Sequence, residues 1–171
     1  KEDEEGNIIK DINGNAYHYI FIGTQTWLQE NLKTTSFNDG TPIPHITDIT
    51  SWLNQVSPSY SWDGHQENYK QSYGALYNYK AVQSGMLCPA GWHVASDKEW
   101  EALSTLTSID YAAGYLKEPG TANWKKPNMG VFDYLNQFKA LPGGYADETG
   151  EFREMSTDGY WWSPQGEKST I

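Results

Sequence analysis

A chain of 171 residues suits a single domain that can bury a substantial core. Its net charge of −10 and isoelectric point near 4.7 oppose binding to nucleic acid or to anionic membrane surfaces. It contains no run of about 18 apolar residues, so no membrane-spanning helix is expected.

Residues 1–7 open with KEDEE and read as a solvated acidic leader, since adjacent like charges repel and bury nothing. The chain begins at Lys1 rather than Met, which suits a processed N-terminus and a removed export signal. Aromatic content is high, with 8 Trp, 12 Tyr and 5 Phe beside 16 Gly, although the mean hydropathy is only −0.72. Large rings joined by glycine turns suit a loop-rich fold. Tyr and Trp also serve half-wet surfaces such as glycan clefts, and both uses stay open at this point.

In chain order, residues 7–22 read as a β-hairpin turning at Asn13-Gly14, with Tyr17, Tyr19 and Phe21 marking one face of the returning strand. Gly23-Thr24 makes a second turn into a short strand whose Trp27 points inward. The stretch FNDGTPIPHITD, with Asp39-Gly40, Pro42 and Pro44, is an extended loop. Residues 50–56 allow one or two helical turns capped by Thr50 or Ser51. Ala75, Leu76, Tyr79 and Val82 share a face, which predicts a helix of about ten residues ended by Gly85. Extended Gly91-Trp92-His93-Val94 then leads into a capping box at Ser96 and Glu99, with Trp100, Leu103 and Leu106 lining the buried face of the helix. A further helix is expected around SIDYAAGYLKE, stopped by Pro119-Gly120. Leu141 to Tyr145 reads as a turn, and a hairpin is expected about Thr149-Gly150, its arms reaching from Glu148 to Phe152.

The segments WLQENLKTTSFNDGTPIP, YGALYNYKAV, LCPAGWHVASDKEW, AGYLKEPGTANW, FKALPGGYADETGEF and GYWWS resemble, in order, the Fibrobacter succinogenes major paralogous domain. They cover most of residues 11–163. The resemblance implies an exported bacterial domain, abundant in the Bacteroidetes and Fibrobacteres, of the C-type-lectin-like and formylglycine-generating-enzyme-like fold group. The expected architecture over residues 8–171 is therefore α+β, with short helices, small antiparallel sheets and long irregular loops. In the family pattern GYWWS is followed by further chain ending in a strand with a second cysteine. The resemblance thus implies that Cys88 is half of a disulfide whose partner is absent from this chain, and that a closing C-terminal strand is missing. The other reading of Cys88 is a buried small hydrophobe. A missing strand would leave a sheet edge open to a partner strand or to self-association.

For chemistry, one cysteine cannot supply the paired thiols of a formylglycine-generating oxidase. Nothing in the spacing pairs Cys88 with His18, His45, His65 or His93 as a nucleophile. Zinc-ligand spacing is absent. Calcium is conceivable at Asp63 and Glu67, beside Asn68, although Asp63-Gly64 also reads as a plain turn. The lectin sugar motif is not matched, because Lys126 precedes Pro127-Asn128 where a carboxylate is needed. Asp97 and Glu99 are accounted for by helix capping, and Asp147, Glu148 and Glu151 by a hairpin tip, so no acid pair for glycoside hydrolysis emerges.

Binding remains. Trp52, Tyr60, Trp62, Asp63, His65, Glu67 and Asn68, with Trp124 and Asn128, place rings beside amide and carboxylate groups, as a glycan platform requires. Trp27, Trp92, Trp100 and Trp161 are read as core. The leading expectation is a non-catalytic module, cell-surface, lipid-anchored or secreted, that binds polysaccharide or a surface protein through the loops at 52–69 and 124–128. The alternatives are an adhesion-assembly domain joined through its open sheet edge, and a glycan-active enzyme.

Overall fold

The computed structural model describes residues 7–62, 64, 69–106, 112–128, 130, 138–147, 149–165 and 168–170. Of the expected leader, only Asn7 falls among them.

The N-terminal hairpin forms as its turn chemistry predicts. β1 (Ile8–Lys10) pairs antiparallel with β2 (Ala16–Ile22), and Gly14 takes the positive φ of +82° that the turn needs. Asp11 organises this turn. Its carboxylate accepts the amides of Asn13 and Asn15 at 2.9 Å, the Asn15 side chain at 2.8 Å and the Tyr17 hydroxyl at 2.7 Å. Those four donors offset the cost of burying a carboxylate.

β3 (Gln25–Leu28) returns along β2 after the Gly23-Thr24 turn, with Ile20 opposite Trp27 and Ile22 opposite Gln25. The facing of β2 departs from expectation. Tyr17 is buried, but Ile20 and Ile22 are the inward residues further along, and Phe21 is 68% exposed. The cause is a change of cover along the strand. Near Tyr17 the odd face is closed by the 33–34 loop, whose Lys33 amide donates to the Tyr17 hydroxyl at 3.0 Å. Beyond it, the even face packs on Leu103, Leu116 and Phe138.

The long loop is anchored by Asn13, whose side-chain oxygen accepts from Thr34 Oγ1 and from the Thr35 and Ser36 amides at 2.8, 2.8 and 3.1 Å. α1 (Ile49–Leu53) is capped by Asp48, not by Thr50 or Ser51. The Asp48 carboxylate accepts the Ser51 amide at 2.8 Å, from a position two residues before Thr50 and three before Ser51.

The predicted ten-residue helix does not form. Its place is taken by α2 (Lys70–Tyr73), β5 (Leu76–Tyr77) and α3 (Tyr79–Gln83). Gly74 breaks the run at φ +73°, where a Cβ would stand 2.6 Å from the Leu32 carbonyl. Leu76 and Tyr77 then pair with β4 (Tyr60–Ser61), and Asn78 starts α3 by accepting the Ala81 amide at 3.0 Å.

α4 (Asp97–Thr105) carries the predicted capping box. Leu103 is buried and Trp100 packs on the core, whereas Leu106 is exposed because it follows the last helical turn. α5 (Ala112–Leu116) buries Leu116 and gives way to Pro119-Gly120; the expected start at Ser108 to Tyr111 lies outside the described residues. The expected turn at Leu141 to Tyr145 runs instead into β6 (Gly143–Ala146), which pairs with β7 (Phe152–Met155) about Asp147 and Gly150. Glu148, also expected in this hairpin, lies outside the described residues. β8 (Tyr160–Trp162) pairs with β9 (Lys168–Thr170). Short helices and small antiparallel sheets thus make an α+β structure with two cores. One gathers around Trp27, Leu103 and Phe138, the other around Phe37, Ile43, Trp62 and Tyr77.

Candidate functional site

The expected binding loops hold mostly core rings. Trp62 is 2% exposed and Trp124 3%, and Tyr60 is likewise buried. Tyr60 and Trp62 meet edge to face at 5.0 Å, while His45 stacks on Tyr60 at 4.9 Å. The Trp124 indole donates to the Ala140 carbonyl at 3.1 Å, and Lys117 Nζ lies 4.1 Å from the ring centroid. Rings sealed in this way have no face left for a sugar, which corrects the expectation for Tyr60, Trp62 and Trp124. Asn128 is a loop fastener: its amide donates to the Glu118 and Gly120 carbonyls at 2.8 and 2.6 Å and accepts from Gly130. Asp63, His65, Glu67 and Asn68 lie outside the described residues, and the calcium candidates Asp63 and Glu67 with them. Among the described residues, no three His, Cys, Asp or Glu side chains cluster as a metal site.

Cys88 is buried, and burial pushes its thiol up to about 12. A thiol held protonated in apolar surroundings is a poor nucleophile. The Cys88 main-chain carbonyl accepts from the Asn38 side chain at 3.2 Å.

Trp52 alone of the expected rings borders open space, a groove of about 1110 Å³. Residues 24–32, running through β3, line this groove without a gap, as do residues 91–95, the extended run before α4. Trp27, Trp100, Phe138 and Trp161 form a ring cluster within it, with centroid separations from 4.8 Å for Trp27–Trp100 to 6.3 Å for Phe138–Trp161. Tyr19 links Trp92 at 5.7 Å with exposed Phe21 at 5.9 Å. At the β6–β8 side, Tyr145 and Tyr160 meet at 4.7 Å. Trp92 and Trp161 are half-buried rather than sealed. These residues come from segments spread over the whole chain, so no local motif announced the groove. The one available signal was an extended Trp-His-Val-Ala run with no turn residue between Gly91 and Ser96.

Among the described residues, the charged groups bordering the groove are Glu30, Glu99 and Asp147, with no Lys or Arg. All three acids are engaged. Glu30 meets the His18 ring at 2.6 Å. Burial alone would raise the Glu99 carboxyl, but the Ser96 amide and hydroxyl, both at 2.7 Å, and the His93 ring at 2.8 Å outweigh it and hold it low. The Thr149 hydroxyl and the Arg153 guanidinium hold Asp147 far below the ordinary carboxylate range. A general acid needs the opposite shift. Among the described residues, the Trp100 indole N–H is the buried side-chain polar atom without a partner, and Trp100 borders this groove.

No curated protein and no solved structure matches the chain. The model of the Fibrobacter succinogenes major domain family matches residues 20–171, which takes in both cores and every wall of the groove except Ile9 and Tyr19. On that match, the chain belongs to the Fibrobacter succinogenes major domain family.

Proposed function

We propose that the chain is a non-catalytic binding module with a C-type-lectin-like fold, carried outside the cell, at the cell surface or secreted. Its ligand is a polymer held in the groove beside β3, not on the loops at 52–69 and 124–128. The observation that carries this reading is the groove itself. Tyr19, Trp92, Trp100 and Trp161 border it together. Rings supply apolar contact area with little conformational freedom to lose. An acidic polymer is disfavoured, because the lining has carboxylates and, among the described residues, no Lys or Arg. No metal or redox group is invoked. An enzymatic reading has no support from Glu99 and Asp147, both of which are shifted away from general-acid behaviour.

The test is a titration of tryptophan fluorescence with neutral oligosaccharides and with extended peptides, repeated on Trp92→Ala. Saturable quenching that weakens at least tenfold in Trp92→Ala supports the groove as the site. Binding that survives unchanged in Trp92→Ala and in Trp161→Phe sinks it.

A further inference from the structure

We propose that Asn13 is a self-modifying site, where the Asn13-Gly14 pair converts to aspartyl and isoaspartyl linkages, and that the loop at 34–36 gates the reaction. This proposal is independent of what fills the groove. Asn13-Gly14 is the one Asn-Gly pair in the chain. Glycine favours the chemistry because it has no Cβ to crowd the approach of its own amide nitrogen. Both residues are exposed, and even a Cβ built on Gly14 would meet nothing within 4 Å. Water and hydroxide therefore reach the pair.

The reaction needs no reagent but water. Hydroxide takes the Gly14 amide proton, and the nitrogen attacks Cγ of Asn13. The new N–Cγ bond closes a succinimide ring as the Cγ–Nδ2 bond breaks. Ammonia leaves after taking a proton from water, which returns the hydroxide. A second water then opens the ring at either carbonyl. One opening gives an aspartyl linkage, the other an isoaspartyl linkage that carries an extra carbon in the main chain. The balance is water consumed and ammonia released, with no change of oxidation state.

The native fold commits the reacting atoms elsewhere. Asn13 Oδ1 accepts from Thr34 Oγ1 and from the Thr35 and Ser36 amides, and Nδ2 donates to Ser36 Oγ at 3.1 Å. The Gly14 amide donates to the Asp11 carbonyl at 3.0 Å. Swinging Cγ onto the Gly14 nitrogen breaks the bonds to 34–36, so the loop must open first. The same loop accepts the Tyr77 hydroxyl at the Thr34 carbonyl, 2.7 Å away, and covers Tyr17, so its opening bares two buried tyrosines.

Conversion works against re-closure. It removes the Nδ2 donor and leaves a new carboxylate in a turn organised by the Asp11 carboxylate, which already accepts the Asn13 amide at 2.9 Å. Like charges in one turn repel, and a carboxylate is an acceptor only. The isoaspartyl carbon also lengthens the connection between β1 and β2, whose pairing fixes the turn. The pair is thus a one-way latch on the loop.

The experiment incubates the full chain at pH 8 with and without denaturant, and follows Asn13 by peptide mass and by the added negative charge on ion exchange. Where opening and closing outpace the chemistry, the native rate is the denatured rate multiplied by the open fraction. Native conversion is expected to be at least about tenfold slower than in denaturant. Ser36→Ala removes the acceptor of Nδ2, and Thr34→Val the buried hydroxyl. Each should speed native conversion about fivefold and leave the denatured rate unchanged. If near-ultraviolet circular dichroism shows that Thr34→Val does not fold, Ser36→Ala, at a half-buried position, carries the comparison. The converted chain, separated by ion exchange, should exchange its Thr35 and Ser36 amide hydrogens faster than the unconverted chain. Equal rates in the native and denatured chains, or wild-type rates in the folded variants, overturn the gate. Unchanged protection of those amides after conversion overturns the latch, and no conversion in denaturant overturns the site itself.

Discussion

The indole N–H of Trp161 donates to the side-chain oxygen of Asn31 at 2.9 Å, joining β8 to the exit of β3 across 130 residues of chain. The other end of the Asn31 amide donates to the Tyr73 carbonyl at 2.9 Å, just before the Gly74 break. One side chain thus ties three segments that border the groove.

Asn31→Ala removes both bonds and leaves a part-buried indole N–H and a carbonyl without their partner. We expect a loss of about 1–3 kcal/mol, read as a lower urea midpoint with an unchanged m-value. Trp161→Phe keeps the Tyr73 bond, so together with Asn31→Ala it separates the indole's hydrogen bond from the rest of the tie.

Trp62→Ala and Trp124→Ala should each cost about 3–5 kcal/mol, because both rings are sealed in the core. Trp92→Ala should cost only about 1 kcal/mol, the scale of its ring contact with Tyr19. Chemical denaturation of the three variants checks the order. Ligand loss in Trp62→Ala would therefore report unfolding, and Trp92→Ala is the informative variant.

Glu99 gives a pH dependence of stability. Its folded pKa is depressed below the ordinary 4.5, so its contribution is fully present above pH 4.5 and is lost as pH falls through the folded value. Glu99→Gln should lower the urea midpoint at pH 6, and its deficit relative to wild type should shrink as the pH is taken down to 3. Ser96→Ala, which removes the other half of the box, should cost about 1 kcal/mol at pH 6.

Raising the Cys88 pKa from 9.0 to about 12 lowers the thiolate population at pH 8 by about a thousandfold. A thiol reagent at pH 8 should therefore label the native chain at least that much more slowly than the chain in denaturant. Rapid labelling under native conditions, followed by mass spectrometry, would contradict the burial.

Gly144 and Gly14 both have positive φ, at +60° and +82°, but a Cβ at Gly144 would stand 2.1 Å from the Arg153 carbonyl and one at Gly14 meets nothing within 4 Å. Gly14→Ala should cost about 1 kcal/mol from backbone conformation alone. Gly144→Ala adds a main-chain clash to that strain, and a loss beyond about 3 kcal/mol is expected, measured as a fall in melting temperature well past that of Gly14→Ala.

Features that depend on neighbours in the chain were legible without a structure. Asn13-Gly14 could only turn, Ser96 and Glu99 could close on each other three residues apart, and Thr149-Gly150 set the β6–β7 hairpin. The helical spacing of Ala75 to Val82 misled, because Gly74 had to pass the Leu32 carbonyl and Leu76–Tyr77 found a strand partner in Tyr60–Ser61. Backbone pairing with a distant segment outweighed a weak local propensity.

The sequence by itself determined the aromatic economy of the fold, its acidity, its caps and turns, and the ordered motifs of its family. Tertiary structure alone decided which rings are sealed and which stand at the groove, since ring burial depends on cover from elements that local spacing does not encode. It also decided that β3 stands at an edge of its sheet among the described residues, because the pairing of an edge depends on what else the fold brings beside it.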